Sequence, residues 1–148
     1  MLLKARILED VKQALRAGER ERLGALRMVT AAIKQVEVDQ RIDMGDEQVL
    51  AVLDKMVKQR RESLEQFDKA GREDLAAKER FELGLIQAYM PEPLSDQELQ
   101  ALIDSTIRAL GASSARDMGP VMNALRSQVQ GRADMKAVSL AVKARLSA

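Results

Sequence analysis

Among its 148 residues the chain has no cysteine, no histidine and no tryptophan. Each absence removes a class of chemistry. Without thiols there is no disulfide framework, no thiolate nucleophile and no thiolate metal ligand. Without imidazole, the usual proton carrier near neutral pH is missing, and with it Cys–His and Ser–His catalysis and most zinc sites. The aromatic residues are Phe67, Phe81 and Tyr89, too few for the stacking platforms that hold single-stranded nucleic acid. No apolar run approaches the roughly 18 residues that span a bilayer. The first residues, Met1-Leu2-Leu3-Lys4-Ala5-Arg6, hold no continuous apolar core before a cleavage site. A cytoplasmic protein with no membrane partner is therefore expected. Charge of one sign is lacking as well, with 24 basic residues against 23 acidic ones. β-branched residues are sparse and never alternate over a useful length, so strands are not expected.

What the chain does have is helical periodicity. A helix is expected over residues 2–17, with Leu3, Ile7, Val11 (or Leu8) and Leu15 along one face and Gly18 ending it. A second helix, about 19–38, carries Leu26, Val29, Ile33 and Val36 at spacings of three and four. Residues 39–46 read as a loop, with Asp46 as N-cap of a third helix over 47–70 through Val49, Leu53, Met56, Leu64 and Phe67. Gly71 stops it, and a fourth helix runs through Leu75, Phe81, Leu85 and Tyr89. Long helices with short connections fold back on one another, so residues 1–90 predict a helical hairpin or bundle.

Met90-Pro91-Glu92-Pro93-Leu94 is the clearest boundary, because each proline pushes the residue before it out of the helical region. Residues 91–94 are expected to be a stiff linker. Ser95-Asp96-Gln97-Glu98 then has the form of a capping box. Its helix holds Leu99, Leu102, Ile103, Thr106 and Leu110, up to a left-handed stop at Gly111. Pro120 suits a first helical turn, with Met118, Val121, Met122, Leu125 and Val129 inward. Gly131 and Asp134 end that helix and cap the last one, whose stripe is Met135, Val138, Val142 and Leu146. The expected fold is all-α, an N-terminal helical bundle (1–90) followed by a small helical domain (95–148).

The candidate functional residues lie in the tail. Residues 1–90 carry equal numbers of basic and acidic side chains. From 111 onward, Arg116, Arg126, Arg132, Lys136, Lys143 and Arg145 face only Asp117 and Asp134. A basic excess confined to one small module is what contact with a phosphate backbone requires, and it is also an ordinary value for a solvated face. Gly131 and Asp134 are explained by capping alone. Arg132 is not, and is either a phosphate clamp beside freshly exposed helix-start amides or a solvated arginine. Arg126, Arg132, Lys136 and Lys143 form the candidate nucleic-acid-binding set. Elsewhere the bland readings suffice. Lys58-Gln59-Arg60-Arg61-Glu62 reads as a solvated face with i,i+4 ion pairs to Glu62 and Glu65. Glu65, Asp68, Glu73 and Asp74 lack the spacing of a calcium loop. Tyr89 is expected to pack its ring at the domain junction with its hydroxyl in water. No catalytic set, metal site or cofactor is expected.

Four segments together resemble the GatB/YqeY family, and the stand-alone YqeY proteins within it. They are Arg20-x-Arg22-Leu23 through Arg27-Met28-Val29, Gln59 through Asp74, Tyr89-Met-Pro-Glu-Pro-Leu-Ser95, and the 111–134 module with its Asp117-Met-Gly-x-Val-Met and Gly131-Arg-Ala-Asp134. The resemblance implies that residues 95–148 correspond to the tail domain of the B subunit of tRNA-dependent amidotransferases, the part that grips tRNA. It implies a non-catalytic tRNA-binding accessory protein. The glutamine-dependent carbon–nitrogen ligase chemistry of that system lies in portions and subunits with no counterpart here. Two further readings stand beside it. One is a helical interaction module docking to an aminoacyl-tRNA synthetase, an amidotransferase subunit or a ribosomal partner. The other is a component of a carbon–nitrogen ligase system.

Overall fold

The computed structural model describes residues 2–147, and those residues are all helix and connection, as expected. The helices are α1 (Leu3–Ala17), α2 (Arg20–Gln40), α3 (Asp46–Lys69), α4 (Glu73–Gln87), α5 (Asp96–Leu110), α6 (Met118–Val129) and α7 (Met135–Ser147), with a 3₁₀ turn at Ala115–Asp117 before α6. They divide into two compact units, residues 1–90 and 91–148.

In the first unit, α1 packs on α2 and α3 on α4, and the two hairpins close on one core. Ile7, Leu26, Val29, Val49, Leu53 and Ile86 are its largest fully enclosed side chains, each contributing about 1.5–3 kcal/mol of transfer free energy. The face of α1 differs from expectation at its end: Leu15 is 58 % exposed and Ala14 is buried instead. Steps of four residues advance about 40° past a full turn each, so a 3-7-11-15 stripe rotates off the core, and a step of three restores it. Asp46 does not cap its own helix. Its Oδ1 accepts the Leu3 amide at 2.8 Å, tying the start of α1 to the start of α3. Gly45 precedes α3, and its amide donates to the Gln48 side chain.

α4 also departs from the sequence expectation. Leu75 and Leu85 are half-buried and Phe81 is exposed, whereas Ala76, Glu82 and Ile86 point inward. A glutamate takes a core position because Arg60 of α3 faces it. The guanidinium Nε donates to the Glu82 carboxylate at 3.1 Å, with both residues buried. Arg60 therefore continues the inward stripe of Val49, Leu53 and Met56, and the solvated-face reading of residues 58–62 is corrected at that position. The Tyr89 expectation is corrected too: its hydroxyl is not in water. The residue is buried in the first unit's core and its hydroxyl donates to the Asp10 carboxylate.

In the second unit, α5, α6 and α7 pack around Ile103, Val121, Leu125, Val129, Val138, Val142 and Leu146. The capping box forms as expected. Ser95 Oγ accepts the Glu98 amide at 3.1 Å and the Glu98 carboxylate accepts the Ser95 amide. Gly111 ends α5 at φ 63°, a conformation costly for any residue with a Cβ. Asp117 draws in the loop before α6 by accepting the Ser113 and Ser114 amides, which hold its carboxyl below the usual range.

Candidate nucleic-acid interface

The α6–α7 connection is a tight corner. Gly131 takes φ 75° after α6, and the Asp134 carboxylate accepts the Lys136 amide at the start of α7. Three of the four candidate cations lie around it: Arg126 in the last turn of α6, Arg132 in the connection, and Lys136 in the first turn of α7. Lys143 lies seven residues further along, on the same face of α7 as Lys136 and about 10 Å away by helix rise. Leu140 sits between these two lysines, 62 % exposed.

Arg126, Lys136 and Lys143 are exposed, and among the described residues none of them forms an ion pair. Arg126 makes a single long hydrogen bond, to the Asn123 side chain. Arg132 is different. Half-buried, it donates from Nε to the Glu92 carbonyl at 3.0 Å, while its own carbonyl accepts the Leu94 amide at 2.8 Å. These two bonds fasten the Pro-Glu-Pro segment to the α6–α7 connection within the second unit. The Arg132 guanidinium also helps hold the Glu98 carboxyl below its ordinary range, behind the larger effect of Ser95. Arg132 thus has a structural occupation that its sequence context did not reveal. Arg145, counted in the basic excess, is paired with Asp104 of α5. Of the six cations in the basic excess, Arg116, Arg126, Lys136 and Lys143 are exposed and form no ion pair among the described residues.

Where α3 ends and α4 begins in the first unit, the cations are paired. Lys69 pairs with Glu65, Arg72 with Asp74, and Arg80 with both Asp68 and Glu73. The four carboxylates weighed as a metal cluster are thus each held by a cation. Among the described residues no group of three or more metal-ligating side chains converges. No helix there is long and apolar enough to cross a membrane.

A family model for Yqey-like proteins matches residues 4–146, nearly the whole chain. The chain belongs to the Yqey-like protein family. Curated relatives of this family member bear the name "Altered inheritance of mitochondria protein 41, mitochondrial". The protein of that name in Eremothecium gossypii is 35 % identical over 147 residues, covering 97 % of this chain and 80 % of the relative. The one in Pyrenophora tritici-repentis is 29 % identical over 130 residues, 86 % of this chain and 71 % of the relative. The one in Vanderwaltozyma polyspora is 34 % identical over 105 residues, 69 % of this chain and 57 % of the relative. These names correct the expectation of a cytoplasmic protein, since each relative is named as mitochondrial. The features behind that expectation, an absence of cysteine and of long apolar runs, carry no cellular address.

Proposed function

We propose that this Yqey-like protein is a non-catalytic tRNA-binding accessory protein whose second unit grips the sugar–phosphate backbone. The observation that carries the reading is the α6–α7 region, where Arg126, Lys136 and Lys143 stand exposed and form no ion pair among the described residues. Unpaired cations bind phosphate without first surrendering an ion pair, and each contact releases condensed counterions. Leu140 between the two lysines offers an apolar surface to a ribose or base edge. The resemblance of the 111–134 module to the amidotransferase tail supports tRNA as the nucleic acid. The relatives' names speak of mitochondria and not of RNA, so this reading rests on the residues.

Arg132 enters as a supporting contact, because its Nε is engaged by the Glu92 carbonyl. Replacing Arg126, Lys136 and Lys143 together with alanine should abolish saturable tRNA binding and leave helicity unchanged. Retained affinity in the folded triple variant refutes the assignment. Arg132→Lys keeps the charge but loses the guanidinium geometry, so it should lower the stability of the second unit more than it lowers binding.

One observation favours a second reading, docking of the first unit to a synthetase, amidotransferase subunit or ribosomal protein. Leu8 and Leu15, seven residues apart on one face of α1, are 44 % and 58 % exposed, and Met28 on α2 is 44 % exposed. A stripe of this kind suits a partner helix. Leu8→Ser/Leu15→Ser should eliminate a specific partner recovered with the full chain, and tRNA affinity should be unaffected. Loss of tRNA affinity instead would place the RNA contact on this unit.

A further inference from the structure

The first unit contains a cleft of about 540 Å³ bounded by α1, α2, α4 and Tyr89, within the range of about 300–1,000 Å³ typical of small-molecule sites. Three arginines from three helices line it: Arg6, Arg22 and Arg80. The carboxylate among the lining residues is Asp10, and it accepts the Tyr89 hydroxyl. The lining is therefore net positive, although residues 1–90 as a whole are balanced.

One of the three guanidiniums is without an ion pair among the described residues, and the other two are held only by solvent-exposed carboxylates. Arg6 lies over the Tyr89 ring, 4.9 Å from its centroid, and forms no ion pair among the described residues. Arg22 pairs with Glu19, and Arg80 with Asp68 and Glu73, through carboxylates that are about half exposed or more. Surface pairs of that kind are worth about 0–1 kcal/mol, so a phosphate, with its bidentate geometry and higher charge, competes with them. At the rim stands Phe81, 37 % exposed and one of two phenylalanines in the chain. Gly84 beside it adds no side chain, and a Cβ there would meet nothing within 4 Å. An open cleft thus sets arginines next to an exposed aromatic face.

We propose that this cleft binds a nucleoside 5′-phosphate, with the phosphate on Arg6 and Arg22, Arg80 at its edge, and the base against Phe81. The site uses none of the residues assigned to the second unit, so it stands or falls independently of tRNA binding there.

The aromatic region of the proton NMR spectrum is nearly empty in this protein: one tyrosine, two phenylalanines, no tryptophan and no histidine. Adenosine monophosphate titrated into the full chain should move the Tyr89 and Phe81 ring signals saturably. Inorganic phosphate should move Tyr89 more weakly and leave Phe81 in place, and adenosine should move neither. Arg6→Ala and Arg22→Ala, read separately so that one folded variant suffices, should each weaken the nucleotide by about tenfold. Phe81→Leu should weaken the nucleotide and leave the phosphate titration unchanged. A short RNA that displaces the nucleotide only when it bears a 5′-phosphate identifies an RNA end as the source, and displacement by neither RNA identifies a free nucleotide. Ring signals that stay fixed at millimolar nucleotide and low salt overturn the proposal. Shifts undiminished in both arginine variants overturn it as well.

Discussion

Glu82→Leu leaves the Arg60 guanidinium, 8 % exposed, facing an apolar side chain in place of the carboxylate 3.1 Å from its Nε. Removing one member of a buried ion pair costs about 3–5 kcal/mol, because the remaining charge keeps its desolvation penalty and loses its compensation. Arg60 retains a hydrogen bond to the Met56 carbonyl at 3.4 Å, which argues for the lower end, about 3 kcal/mol. In a domain of this size each kcal/mol is worth about 4–8 °C, so the melting temperature of the first unit should fall by roughly 12–24 °C. The double variant Arg60→Met/Glu82→Leu removes both charges and keeps the volume, and it should lie within about 1 kcal/mol of the parent. The assay is thermal and urea unfolding followed by tyrosine emission. Tyr89 is the single tyrosine in a chain without tryptophan, and it belongs to the first unit's core, so the signal reports that unit alone. A Glu82→Leu loss below about 1 kcal/mol, or a double variant no more stable than the single one, refutes the reasoning.

Three further outcomes follow from the first unit. Glu37 accepts from the Lys4 ammonium at 2.6 Å and from the Met44 amide, with Asp43 also near Lys4, and these hold its carboxyl down at about 2 against an ordinary 4.5. A depressed carboxyl stabilises the fold above its unfolded value, so stability should fall as pH drops from about 4.5 towards about 2, and melting curves of Glu37→Gln should show a shallower acid slope. Burial, then the Asp10 acceptor, push the Tyr89 phenol well above its ordinary range. A raised value stabilises the fold below the unfolded value of about 10, so ultraviolet titration should show phenolate only as the unit unfolds in alkali, and a reversible titration near 10 in the folded protein contradicts this. Gly24 sits inside α2 where an added Cβ would meet nothing within 4 Å, so Gly24→Ala should stabilise by about 1 kcal/mol in the same melts.

The helices were legible because their signals are local. Ser95 and Glu98, Gly111, and the Gly131–Asp134 turn each solve a backbone problem within a few residues, and the structure forms all of them. What sequence could not show was set by partners distant along the chain. Asp46 was free to cap α3 until the Leu3 amide claimed its carboxylate, 43 residues away. Arg60 looked like part of a solvated run because its partner, Glu82, lies on another helix. A faint signal was present, since 49-53-56-60 continues the apolar spacing of α3 into an arginine. The candidate interface behaved alike. Its free cations were visible as a basic excess, but the engagement of Arg132 by Glu92 and of Arg145 by Asp104 depends on pairings from outside the 111–148 segment.

The central claim is most directly tested by fluorescence-anisotropy binding of tRNA to the full chain across a salt series. Three phosphate contacts predict that log K falls against log salt with a slope of about −2 to −3, shallower by about 0.7–0.9 in Arg126→Ala. Absence of saturable binding at low salt, or a slope unchanged when Arg126, Lys136 and Lys143 are all alanine, would contradict it.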